Sequence, residues 1–71
     1  MPKLPPLTPR KLIAILKKKG FQLDHTTGSH FIFYHSKIKR IVTVPYHAKD
    51  IPKGTIHSIL KQAGLSVDDL R

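Results

Sequence analysis

The sequence predicts a small α+β domain of order α-β-β-β-α, with two helices packed on one face of a three-stranded antiparallel sheet. Three observations predict it. One stretch near each end of the chain spaces its apolar residues three and four apart and is bounded by helix start and stop signals. Between them lie three short runs, alternating in polarity or rich in aromatic and β-branched residues. The links between those runs are a few residues long, which suits antiparallel neighbours and leaves no room for helical crossovers.

Each element has its own justification. Residues 1–7 carry Pro2, Pro5 and Pro6 and read as an extended arm, leaving residues 8–71 as a single domain. Thr8-Pro9 is a helix start: an oxygen-bearing cap followed by proline at the first helical position. Leu12, Ile13, Ile15 and Leu16 share one face of that helix, and Arg10, Lys11, Lys17 and Lys18 share the other. Lys17, Lys18 and Lys19 complement the helix dipole in the last turn, and Gly20 is the stop.

Phe21 to His25 alternates apolar and polar, as a half-buried strand does. Thr26-Thr27-Gly28 then reads as a turn. His30 to His35 is a second strand, apolar on both faces, so the sequence leaves open which face the helices cover. Ser36 to Lys39 leads to a third strand, Arg40 to Val44, which Pro45 ends or confines to an edge. Tyr46 to Asp50 is a loop, with Asp50 as the expected cap of a helix from about Pro52 to Ala63. Ile56, Ile59, Leu60 and Ala63 form that helix's stripe, Lys53, His57 and Lys61 one flank, and Gly64 the stop. Ser66 is placed to cap a last short turn through Leu70. Two helices on one face of such a sheet is the topology of the double-stranded-RNA-binding domain, which reads helical RNA by shape and phosphate contacts.

Composition narrows the functions. A chain of 71 residues is one domain with a thin core, burying only ~60% of its unfolded surface. A deep, dry pocket for a small organic substrate does not fit in it. Thirteen Lys and Arg against four Asp and no Glu give a net charge of +9, which favours phosphate backbones or anionic membranes. The chain has no Trp and its helices are needed for the core, so nucleic acid fits better than a membrane. Absence of cysteine removes disulfides and thiolate metal sites. No apolar run is long enough for a signal peptide or a span, so a soluble, cytoplasmic protein is expected.

The chemistry centres on Gly28-Ser29-His30, which places an imidazole where a glycine turn becomes a strand. RNA carries its own nucleophile, the 2′-hydroxyl. Cutting it needs a base for that proton and positive charge at the phosphate. Histidine, with an ordinary pKa of ~6.5, suits the first role. Lysines and exposed amides suit the second. Gly28 allows a phosphate close to the backbone, and Ser29 stands next to it. The plainer alternative is an ordinary strand-start histidine. Val44-Pro45-Tyr46-His47 is the second constellation: His47 either helps a phosphate site near His30 or is an exposed loop residue. Lys17, Lys18, Lys53 and Lys61 are candidate RNA contacts, or simply solvated helix flanks. The five histidines show no i, i+4 helical pair, and with no Cys or Glu beside them no metal and no other cofactor is expected.

Gly20-Phe21, Gly28-Ser29-His30, Val44-Pro45-Tyr46-His47 and Lys53-Gly54-Thr55-Ile56-His57-Ser58-Ile59-Leu60 occur in this order. In that set, over roughly residues 8 to 67, the chain resembles the HicA-type (YcfA-like) toxins of bacterial toxin–antitoxin pairs. The resemblance implies a double-stranded-RNA-binding-like fold, ribosome-independent cleavage of mRNA, and a HicB-type antitoxin over the active surface. It implies His30 as the catalytic histidine and assigns no role to His47. The arm before Thr8 is longer than the family pattern, and Ser36 to Lys39 lacks its usual Gly or Asp. The competing function is a non-catalytic RNA-binding module. A third is a subunit whose basic face neutralises an acidic partner.

Overall fold

The computed structural model describes residues 7–46 and 50–70. Its elements are α1 (Pro9–Lys18), β1 (Gln22–Thr27), β2 (His30–His35), β3 (Arg40–Pro45) and α2 (Lys53–Ala63), followed by a 3-10 turn at Val67–Leu70. The strands form one antiparallel sheet of order β1-β2-β3.

Both ends of α1 are set by local chemistry. The Thr8 hydroxyl accepts the Lys11 amide at 3.2 Å, and Pro9 fills the first helical position. At the other end the Gly20 amide bonds Lys17 O and the Phe21 amide bonds Leu16 O, the paired contacts of a Schellman stop. Gly20 sits at φ 100°, and a Cβ there would lie 2.6 Å from His35 Nε2, so position 20 admits only glycine on two counts.

The start of α2 differs from expectation. Pro52 holds the cap position, and among the described residues no side chain caps the helix, Asp50 included. The Ile51 amide instead donates to Leu7 O at 2.8 Å, which ties the two helix starts together. Leu7, the last residue of the proline-containing stretch, is a core residue at 4% exposure.

Strand pairing decides the faces. Phe31 and Phe33 of β2 stand beside Val44 and Val42 of β3. They pack against Leu12 and Leu16 of α1 and Ile56, Ile59, Leu60 and Ala63 of α2. The residues between them, His30, Ile32 and Tyr34, therefore share the opposite, uncovered face with Ile41 and Thr43.

β1 is not the half-buried strand that the alternation predicts. Phe21 is buried, but it belongs to the helix stop, and all six residues of β1 are exposed. Thr26 and Thr27 remain in the strand, so the turn is Gly28-Ser29 alone, closed by the Thr27–His30 pair. Gly28 takes φ 57° as the first central residue, the conformation of a type II′ hairpin turn. At the other hairpin, Lys39 takes φ 53° where glycine is usual, at a local cost of ~1–2 kcal/mol.

β3 is an edge strand whose last residue is Pro45, where a missing donor costs least. Its edge is covered: the Thr43 amide donates to Gln62 Oε1 at 3.2 Å, and Arg40 Nη1 reaches Gln62 O at 3.2 Å. In the final turn Ser66 is tied to the Asp69 side chain. Its hydroxyl donates to Asp69 Oδ2 at 3.2 Å, and its amide donates to the same oxygen at 2.8 Å. Lys19 Nζ lies 3.2 Å from Asp69 Oδ1. The Ser66 amide first, and Lys19 second, hold the Asp69 carboxyl below the ordinary carboxylate range.

Candidate active site

His30 is the first residue of the central strand. It is paired with Thr27 on one side and Pro45 on the other, so its backbone is held by both neighbouring strands. Its side chain is exposed, and among the described residues it has no hydrogen bond or ion pair. Beside it the Gly28-Ser29 turn is exposed, and among the described residues no atom beyond its chain neighbours lies within 4 Å of where a Gly28 Cβ would stand. A phosphate can therefore approach this backbone without displacing any described side chain.

The turn is anchored from β3. The Tyr46 amide donates to Ser29 O at 2.6 Å, and the Tyr46 ring stacks on Phe31 with centroids 4.6 Å apart and planes at 21°. Gly28-Ser29-His30 and Val44-Pro45-Tyr46 are thus tied together at one end of the sheet, with the Tyr46 ring against Phe31. His47 lies outside the described residues. Tyr46 lies just past β3, as the sequence predicts for a loop residue, and is 39% exposed. What the sequence offers for it is an aromatic residue next to the proline that ends the strand.

The candidate lysines divide between the two ends of the molecule. Lys53 opens α2 at the end where Pro45 leaves the sheet. Lys17 and Lys18 close α1 next to Lys19, whose carbonyl oxygen is 3.1 Å from His35 Nε2 at the far end of β2. Lys61 lies at the same far end, where its carbonyl faces Arg40 Nη1 at 3.4 Å. With ~3.3 Å per residue along a strand, that end is ~16 Å from His30. Along the strands Lys53 thus falls at the His30 end, on the helix-packed side of the sheet, and Lys17, Lys18 and Lys61 fall at the far end.

The other described histidines have different surroundings. His35 bonds Lys19 O and packs edge-on against Phe21 with centroids 5.0 Å apart. His25 pairs with Asp24, and His57 is exposed on α2. Among the described residues no three His, Asp or other ligating side chains gather to hold a metal, and no helix is long and apolar enough to cross a membrane.

The arrangement offers an accessible imidazole on a rigid strand, an unobstructed glycine turn beside it and an exposed aromatic ring. Comparison with curated proteins finds no match to this chain. A family model described as the HicA toxin of bacterial toxin–antitoxin systems matches residues 9–65, from the first residue of α1 to just beyond the end of α2, with Gly28, Ser29 and His30 inside the span. The match covers most of the chain: the protein belongs to the HicA toxin family and is a toxin of a toxin–antitoxin system, with a cognate antitoxin as its counterpart.

Proposed function

We propose that this toxin is an mRNA interferase, a cytoplasmic endoribonuclease that cuts RNA independently of the ribosome and needs no metal. The observation that carries the reading is His30: exposed, free of side-chain partners among the described residues, and fixed by pairing on both sides. A neutral imidazole there takes the proton from a 2′-hydroxyl, and the freed oxygen attacks the adjacent phosphorus. The P–O5′ bond breaks, leaving a 2′,3′-cyclic phosphate and a 5′-hydroxyl. Gly28 and Ser29 let the phosphate sit against the backbone, and Lys53, at the same end of the sheet, adds positive charge. Lys17, Lys18 and Lys61 bind RNA that extends away from the cut.

The partner is a HicB-type antitoxin with an acidic face. The net charge of +9 steers such a protein onto the basic surface, and seated over His30 it excludes RNA by bulk and by charge. Incubating purified toxin with end-labelled RNA in excess chelator tests the activity. Fragments ending in cyclic phosphate are expected. Binding without cleavage would instead favour the RNA-binding module. Growth arrest on expression, relieved by co-expressing the neighbouring reading frame, is the expected result for the pair.

A further inference from the structure

The open face of the sheet carries a second histidine. Leu23 pairs with Phe33, but His25 pairs with Ile32, so Asp24 is an extra residue in β1. This bulge reverses the side-chain alternation after Leu23. Without it, His25 would fall on the helix side with Phe33's neighbours. With it, His25 shares the open face with Ile32, Thr27 and His30. His30 pairs with Thr27, and His25 lies two residues along the same strand. The two histidines are thus diagonal neighbours, at a separation of ~7–8 Å.

His25 is also oriented. Its Nδ1–H donates to Asp24 Oδ2 at 2.6 Å, which leaves Nε2 as the ring atom free to meet a substrate. Both side chains are more than half exposed, at 57% and 60%, so solvent and RNA reach them. On the side away from His30, Asp24, His25, Ile32, Tyr34 and Ile41 line a shallow depression with an exposed aromatic ring. A nucleobase can stack there.

We propose that His25, oriented by Asp24, is the general acid for the cleavage, donating a proton to the departing 5′-oxygen. The inference rests on the endonuclease reading above and completes it. His30 accepts the 2′-hydroxyl proton as the O2′–P bond forms. The His25 imidazolium gives its Nε2 proton to O5′ as the P–O5′ bond breaks. The protein ends with one proton gained at His30 and one lost at His25, and exchange with water restores both. The scissile phosphate spans the diagonal between the rings, and the leaving nucleoside lies over Ile32 and Tyr34.

The test compares two RNA oligonucleotides: one ordinary, and one whose scissile 5′-oxygen is replaced by sulfur, a leaving group that needs no proton. His25→Ala is expected to cut the ordinary RNA at least ~10²-fold more slowly than wild type, within the range for loss of one acid–base group. On the 5′-thio substrate it should return to within a few fold of wild type. His30→Ala should be slow on both, since the 2′-hydroxyl still needs a base. Asp24→Asn should show a smaller loss with the same rescue by sulfur. Thermal melting of each variant separates lost chemistry from lost fold. Wild-type cleavage of ordinary RNA by His25→Ala, or an equal defect on both substrates, overturns the role of His25 and leaves that of His30 standing. If the wild type cuts neither RNA, both readings fall together.

Discussion

The two ends of β2 carry the same residue in opposite circumstances. His35, at the end nearest the α1 stop, has its ring edge-on to Phe21 and its Nε2 3.1 Å from Lys19 O, and its Nδ1 accepts the Lys37 amide at 3.2 Å. Gly20 lacks a side chain where that ring comes closest. His30, at the other end, has a fixed backbone and a side chain with no partner among the described residues. A histidine whose nitrogens are both engaged holds the helix stop against the sheet. A histidine on an equally rigid strand with both nitrogens unengaged is available to a substrate. The residue type does not separate these roles, and the neighbours do.

Exchanging the two ends should break the comparison most sharply. His30→Ala should lower RNA cleavage by ~10²–10⁴-fold and leave stability within ~0.5 kcal/mol, measured by oligonucleotide cleavage and thermal melting. His35→Ala should do the reverse, costing about 1–3 kcal/mol through its lost ring contact and hydrogen bonds, with cleavage per folded molecule unchanged. The two glycines give the next largest contrast. Gly20→Ala places a Cβ 2.6 Å from His35 at φ 100° and should cost about 2–3 kcal/mol. Gly28→Ala meets no described neighbour at φ 57° and should cost ~1 kcal/mol, read from denaturant midpoints.

Charge gives a smaller and more graded effect. RNA affinity should fall with salt at a log–log slope of about −0.7 per phosphate contact on a single strand. Lys17→Ala and Lys18→Ala should each reduce that slope by ~0.7, measured by titrations at several salt concentrations. An unchanged slope would detach the far end from the RNA path. The smallest expected effect is at Asp69. Its lowered folded pKa contributes stability that is complete above the ordinary carboxylate range and is lost as pH falls through the lowered value. Melting temperatures of the wild type and Asp69→Asn should therefore differ near neutral pH and converge in strong acid.

The sequence by itself determined what depends on a few adjacent residues. Thr8-Pro9 begins α1 and Gly20 ends it, since caps are made by residues within one turn. The second strand is His30–His35, as the sequence predicts, and His30 is legible as its first residue because a glycine turn precedes it. Parity and distance come from packing. The sheet face covered by the helices was open because β2 is apolar on both sides, and pairing with Val42 and Val44 settled it. The extra residue Asp24 turns His25 to the open face, where simple alternation puts it on the other. Lysines alike in sequence lie at opposite ends because both helices run away from the His30 end. Local preference fixes where an element starts and stops. Which face it shows is set by strand register, and a single inserted residue reverses that.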